Sequence, residues 1–281
     1  MTPPAPHSPQ DVIRNLLAGA GELPVLPDVA VRILEEMKSP NVNARKLAEF
    51  VSKDPVLASS VLRVANSALY GGRSEITDLP YAMVRVGLQQ VKNLVLALVL
   101  RSRMADPQVY GTLGASLMEH ALAVAFGARL VADMANIDSQ ESFLCGLLHD
   151  FGRLALIKAL RESAGIRRGD LSPEQMLMVD QYHEEAGAML AANWRLPEAV
   201  VVVARRHHHP EQATDHKEMV AAVAFADQMA HKLGLGGDAE PAIDLNGHPA
   251  VKILNLKQDE VADLVGHMPG LFATARAAMY A

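Results

Sequence analysis

Seven histidines and aspartates, scattered far apart along the chain, constrain its fold more than any other feature. His120, the adjacent pair His149-Asp150, His183, His207-His208 and Asp227 each fall within, or at the end of, a segment with helical periodicity. No single local motif can hold them. Imidazole and carboxylate together are the donors that a borderline transition metal such as iron, manganese or zinc needs. If the seven meet, four or five helices must converge on one point. The set therefore predicts an all-α architecture and one or two divalent ions together.

Composition agrees with helices. Of 281 residues 50% are hydrophobic, but only 4% are aromatic. Ala, Leu, Val and Met dominate, which favours aliphatic helix packing over sheet. The net charge of −6 gives no reason to expect nucleic acid as a partner. The single cysteine, Cys145, lies in the apolar stretch 143–148 and reads as a small buried hydrophobe in a reducing compartment. Residues 1–10 are proline-rich and lack the charged-then-apolar pattern of a secretion signal, so they read as a disordered leader or linker. The longest apolar run, 94–100 (LVLALVL), is too short to span a bilayer. The expectation is a cytoplasmic protein with no membrane segment.

Punctuation divides the rest. Asp11 is a candidate cap for a helix to residue 17, stopped by Gly19 and Gly21. A proline-stiffened stretch at 23–27 precedes a helix capped by Asp28. Asn43 caps 44–52. Asp54-Pro55 is a cap followed by proline at the first helical position, and its helix reads to about residue 69. Thr77 or Asp78 opens a helix stopped by Gly87, and an apolar helix covers 89–104. These short helices make a first unit, 11–105. The second, 106–281, opens with a long helix over 113–134 holding His120. Helices follow over 140–148 and 154–160, and another starts at Ser172-Pro173 and holds His183. Pro197 opens one that ends at the histidine run 207–209. The helix over 217–233 holds Asp227, and the last helices begin near Asp259. Val200–203 favours β by propensity, but its flanks favour helix.

Adjacent residues on one helix diverge by about 100°. His149 and Asp150 therefore reach one centre only at a helix end or distorted turn, and Gly152 permits such a break. His120 and His183 have small or apolar neighbours, as inward-facing ligands would. Asp227 sits on an apolar helix, an odd place for a charge without a partner. Taken singly, such a histidine is ordinarily a hydrogen-bonded core residue, and Asp227 could simply cap or pair with an arginine, so the argument rests on the group. His7, His216, His231, His248 and His267 read as surface residues, and Arg205-Arg206 as a solvated face. Trp194 reads as a plug of the second core, Asn66 as a local cap, and the run 94–100 as a seam between subdomains.

Long stretches resemble a known family, the HDOD domain (HD-related output domain) of the HD phosphohydrolase superfamily. They are LPVLPDVAVRILEEM (23–37), DPVLASSVLRVANSALYG (54–71), ITDLPYAMVRVGLQQVKNLVLALVL (76–100), MEHALAVA (118–125), FLCGLLHDFGRL (143–154), HEEAGAMLAANWRLP (183–197) and HHHP (207–210). The resemblance implies an all-α protein with an N-terminal helical subdomain and a C-terminal HD-like one. It implies a bacterial signalling module, often joined to a receiver or sensory domain and acting through protein contacts. Many such domains lack a complete ligand set. Here His120, His149, Asp150, His183, His207, His208 and Asp227 match positions that the HD-GYP branch uses for two metals, with His209 as a spacer before Pro210. The Gly-Tyr-Pro loop of that branch is replaced by EQATDHKEMV (211–220), and its lysine after the HD-x-G element by Arg153.

Two functions follow. One is a regulatory output domain that contacts a protein partner or a fused response-regulator or sensory module, its metal structural. The other is a metal-dependent phosphohydrolase acting on a phosphate-containing ligand, with Arg153 steadying the phosphate. A weaker third is a sensor of iron, redox state or a diatomic gas.

Overall fold

The structure, a computed structural model, describes residues 8–18, 28–38, 44–71, 74–104, 106–166 and 170–280. The stretch at 23–27, the Asn43 cap, the Gly19 and Gly21 stop, and most of the 1–10 leader lie outside these. Every regular element among the described residues is helical. The helices are α1 (Pro9–Leu17), α2 (Asp28–Lys38), α3 (Ala44–Val51), α4 (Pro55–Ala65), α5 (Leu79–Val86), α6 (Leu88–Met104), α7 (Pro107–Tyr110), α8 (Leu113–Ala135), α9 (Ser139–Leu148), α10 (Phe151–Ser163), α11 (Pro173–Asn193), α12 (Glu198–Arg206), α13 (Lys217–Leu233), α14 (Pro249–Ile253) and α15 (Gln258–Tyr280). A 3-10 turn at Pro210–Gln212 follows α12.

Two compact units emerge, and neither is continuous in sequence. One contains α1 and Met104–Gln258; the other contains the described part of Leu26–Arg103 and the chain from Asp259 onward. A division at 105/106 does not describe this. Helix α1 packs on α10 and α11, burying Ile13 and Leu16. Helix α15 belongs with the early helices: Arg101 donates to the Met279 carbonyl, and its guanidinium lies 3.9 Å from the Tyr280 ring centroid, a cation–π contact.

Caps set the helix starts. Asp54 accepts from the amides of Val56 and Leu57, Asp78 from that of Tyr81, and Ser172 forms a capping box with Gln175, as their sequences predict. The α1 cap is Ser8 rather than Asp11; Ser8-Pro9 repeats the cap-then-proline pattern of Asp54-Pro55, so helix begins inside the expected leader. Helix α4 ends at Ala65, short of 69, because Asn66 closes the loop after it. The Asn66 amide donates to the Ile76 carbonyl (2.7 Å) and accepts from its N–H (2.8 Å), a non-local clamp in place of a local cap. Asp138 caps α9 by accepting from Gln140 and Glu141. Asp138→Ala is expected to cost about 1 kcal/mol, read from the urea midpoint of the purified protein.

Helix α8 lies at the centre of its unit, packed on α9 and α13. By length and composition it could cross a membrane, but 67% of its apolar window is buried inside the protein, as in a core helix. Cys145 on α9 is fully buried, and burial pushes its thiol well up. Trp194 is half-buried, edge-on to Phe151 at 6.2 Å, at the margin of the core instead of plugging it.

Candidate metal centre

The chain breaks between α9 and α10 at His149 and Asp150. His149 is still helical (φ −54°, ψ −40°), whereas Asp150 lies at φ −104°, ψ 10°, in the sparsely populated bridge region. The turn aims both side chains inward: His149 is fully buried and Asp150 is 8% exposed. Gly152 is not the hinge. It sits inside α10, where a Cβ would lie 1.9 Å from the His183 carbonyl oxygen and 2.5 Å from the Gly187 nitrogen. Its missing side chain lets α10 press against α11 and bring His183 to Asp150.

All seven expected residues converge. His120 Nε2 lies 2.9 Å from Asp227 Oδ1, and His149 Nε2 lies 3.6 Å from the same oxygen. On the other side, His183 Nε2 and His207 Nε2 stand 3.4 and 3.5 Å from Asp150 Oδ1. His183 Nε2 and His208 Nε2 are 3.0 Å apart. Asp150 joins the groups, since its Oδ2 is 3.8 Å from His149 Nε2. Donor atoms of His183, His207 and His208 lie within 4.8 Å of one another, as do those of His120, His149 and Asp150. His209 turns away toward Glu211 (3.6 Å); of the other two, His207 is buried, whereas His208 is exposed and reaches the cluster from its edge.

Backbone carbonyls fix three of the imidazoles. His149 Nδ1 bonds the Gly146 carbonyl (2.7 Å), His183 Nδ1 that of Asp180 (2.7 Å), and His207 Nδ1 those of Val203 and Ala204 (3.2 and 3.1 Å). A carbonyl only accepts, so each Nδ1 carries the proton and each Nε2 keeps a lone pair facing the cluster. His149 Nε2, His207 Nε2, Asp150 Oδ1 and Asp227 Oδ2 are buried without a hydrogen-bond partner. Each such orphan costs about 1–3 kcal/mol, and four beside one another fit a cation between them.

Electrostatics keeps Asp150, Asp227 and His183 in ligand form and favours the proton on His120. Burial alone would raise the carboxyls, but Arg153 first and then His149 and other histidines hold Asp150 well below the usual range. His120 and His149 do the same for Asp227. Burial, helped by Arg153 and His207, holds His183 at about 4 despite Asp150. His120 is opposed by burial, but the Asp227 hydrogen bond carries it above its ordinary value.

A pH prediction follows for the metal-free protein. Between pH 6.5 and about 4 the unfolded chain protonates His183 and the folded chain does not, so acid favours unfolding. Wild type should lose up to about 3 kcal/mol relative to His183→Gln as pH falls through that window. Paired urea titrations in chelator at pH 7 and 4.5 check it; parallel pH profiles would refute it.

Arg153 is not free. Its Nε donates to Asp150 Oδ2 (2.6 Å) and its Nη1 to Asp180.

A family profile for the HDOD domain matches residues 23–210, well over half of the chain. The chain belongs to the HDOD family. A protein of uncharacterised function from Treponema pallidum (strain Nichols) is 29% identical over 219 residues, covering 73% of this chain and 42% of that protein. The chain thus spans less than half the length of that curated relative. An HDOD domain protein of unknown function from Geobacter sulfurreducens shares the fold at a TM-score of 0.75, with 24% identity over 96% of this chain and 98% of the other. A Shewanella amazonensis SB2B structure, provisionally named a metal-dependent phosphohydrolase, gives 0.71 at 18% identity, covering 94% and 97%. One from Marinobacter aquaeolei VT8, provisionally named a signal transduction protein, gives 0.67 at 22%, covering 97% and 66%.

This HDOD cluster holds one histidine that sequence reasoning placed on the surface. His231 is half-buried, its Nε2 3.5 Å from Asp227 Oδ1. The signal was its spacing, four residues after Asp227 on one helix face. His248 also has a structural task, accepting from the Ala250 amide as the α14 cap.

Proposed function

We propose that this HDOD chain is a cytoplasmic, bacterial signal-transduction domain. It regulates a protein partner, or a fused response-regulator or sensory module, and its histidine-rich unit is organised by a bound divalent metal. The observation that supports the metal is the four adjoining orphaned donors, beside imidazoles whose tautomers are already set. His149, His207, His183, His208, His120, Asp150 and Asp227 would hold one or two ions of the iron, manganese or zinc type. Bound there, the metal would tie four helices and the α9–α10 turn together. The name of the Marinobacter neighbour accords with signalling.

A second reading, a metal-dependent phosphohydrolase, draws on Asp150, whose carboxylate faces both groups of histidines, and on the name of the Shewanella neighbour. Bound metal would supply an acidified water and polarise a phosphoryl oxygen. The commitment of Arg153 to Asp150 and Asp180 weighs against this reading, since the expected phosphate ligand is already held by two carboxylates.

The test is purification without chelator, metal analysis, and assay of a generic phosphodiester and a panel of cyclic nucleotides, alongside pull-down against response regulators. Bound metal without turnover, with a retained regulator, is the expected result. Turnover lost in Asp150→Ala, with folding retained, would establish the hydrolase instead.

A further inference from the structure

The rim of the cluster carries a second, solvent-facing arrangement. Asp227 and His231 lie one turn apart on α13 and share a face. The His231 ring centroid is 4.7 Å from that of His120, and both histidines point Nε2 at Asp227 Oδ1, at 3.5 and 2.9 Å. The donor atoms of the three lie within 4.8 Å of one another. The outer nitrogen of His231, Nδ1, faces Glu240 Oε1 at 3.6 Å.

The loop after α13 is built to hold that geometry. Gly234 and Gly236 have φ of +66° and +86°, which turns the chain back over α8. A Cβ at Gly236 would stand 2.3 Å from the His120 backbone nitrogen, so only glycine allows this approach. Ser116 Oγ donates to the Gly236 carbonyl (2.7 Å). Lys232 Nζ donates to the carbonyls of Pro241 and Ile243, each at 2.7 Å, and the Glu240 N–H donates to the His231 carbonyl (2.9 Å). The side chain of His231 is 38% exposed, against 9% for His120 and 3% for Asp227.

We propose that His120, Asp227 and His231 form a rim metal-binding position, with Glu240 orienting the His231 ring. Two imidazoles and one carboxylate suit a divalent transition ion and leave coordination places for water. The Glu240 carboxylate, 3.6 Å from the outer ring nitrogen, favours a proton there and so the tautomer that offers Nε2. His120 belongs both to this set and to the buried set with His149 and Asp150. An ion therefore has a position open to solvent directly beside the enclosed one, through which the interior exchanges metal without unpacking α8 from α13. The inference rests on the cluster binding metal at all.

The experiment is calorimetric titration of the chelator-stripped 281-residue chain with Co2+, with visible spectra recorded at each addition. In His231→Gln one binding event should weaken at least ~10-fold and the cobalt bands should change. Glu240→Gln, an exposed change that spares the core, should weaken the same event about 10-fold. His183→Gln, at the far side, should leave that event in place. Unchanged affinities and spectra in both rim variants, with wild type binding Co2+, overturn the rim position alone. Wild type that binds no Co2+ overturns the metal reading itself, and the rim position with it.

Discussion

Gly152→Ala is expected to be among the most damaging single-methyl changes available to this protein. The added carbon would fall 1.9 Å from the His183 carbonyl oxygen and 2.5 Å from the Gly187 nitrogen. Both obstacles are backbone, so no side chain can rotate away, and α10 and α11 must separate. Overpacking of this kind costs about 3 kcal/mol at the upper end of its range. Function should suffer beyond stability, because the displaced carbonyl belongs to the residue whose imidazole faces Asp150 at 3.4 Å. The checks are a urea midpoint and a metal titration on the same preparation. A melting temperature within about 2 °C of wild type and intact metal uptake would show that the helices yield without consequence.

Loading and stripping metal should give the other large effect. At a free ion concentration about 1,000 times the dissociation constant, binding to the folded state alone adds about 4 kcal/mol. For a chain of this size that is a rise of roughly 10 °C in melting temperature. Asp150→Asn keeps the shape of the side chain but removes the charge that faces His149, His183 and His207. The variant should lose most of the rise and approach the behaviour of chelated wild type. Melting curves with and without chelator, for Mn2+, Fe2+ and Zn2+, decide the matter. No shift with any of them at millimolar concentration would leave the orphaned donors unexplained and remove the proposed centre.

Much of this was legible in the sequence, for reasons that are local. Asp54-Pro55, Asp78 and Ser172-Pro173 announce helix starts because the cap bond spans only two or three residues. The ligand candidates were legible as a group because histidines and aspartates on apolar helices are anomalous, and the HDOD resemblance tied them to one pocket. What stayed hidden is long-range. Gly152 looked like a hinge, since sequence shows a missing side chain but not the carbonyl that fills its place. Asn66 looked like a local cap, since its partner, Ile76, is ten residues away. His231 sits beside Lys232 near the end of α13 and resembles any surface histidine until the loop bearing Glu240 folds back. The membership of α1 and α15 depends on docking, which no local pattern encodes.

The interleaved connectivity of the two units has a consequence for dissection. A single protease cut near residue 104 gives two fragments, each carrying helices of both units: α1 travels with α2 to α6, and α15 with the histidine cluster. Such a nick frees neither unit whole. Expressing either one alone requires splicing two distant segments with a new linker, and the nicked halves should remain associated after chromatography, complementing one another like a split reporter.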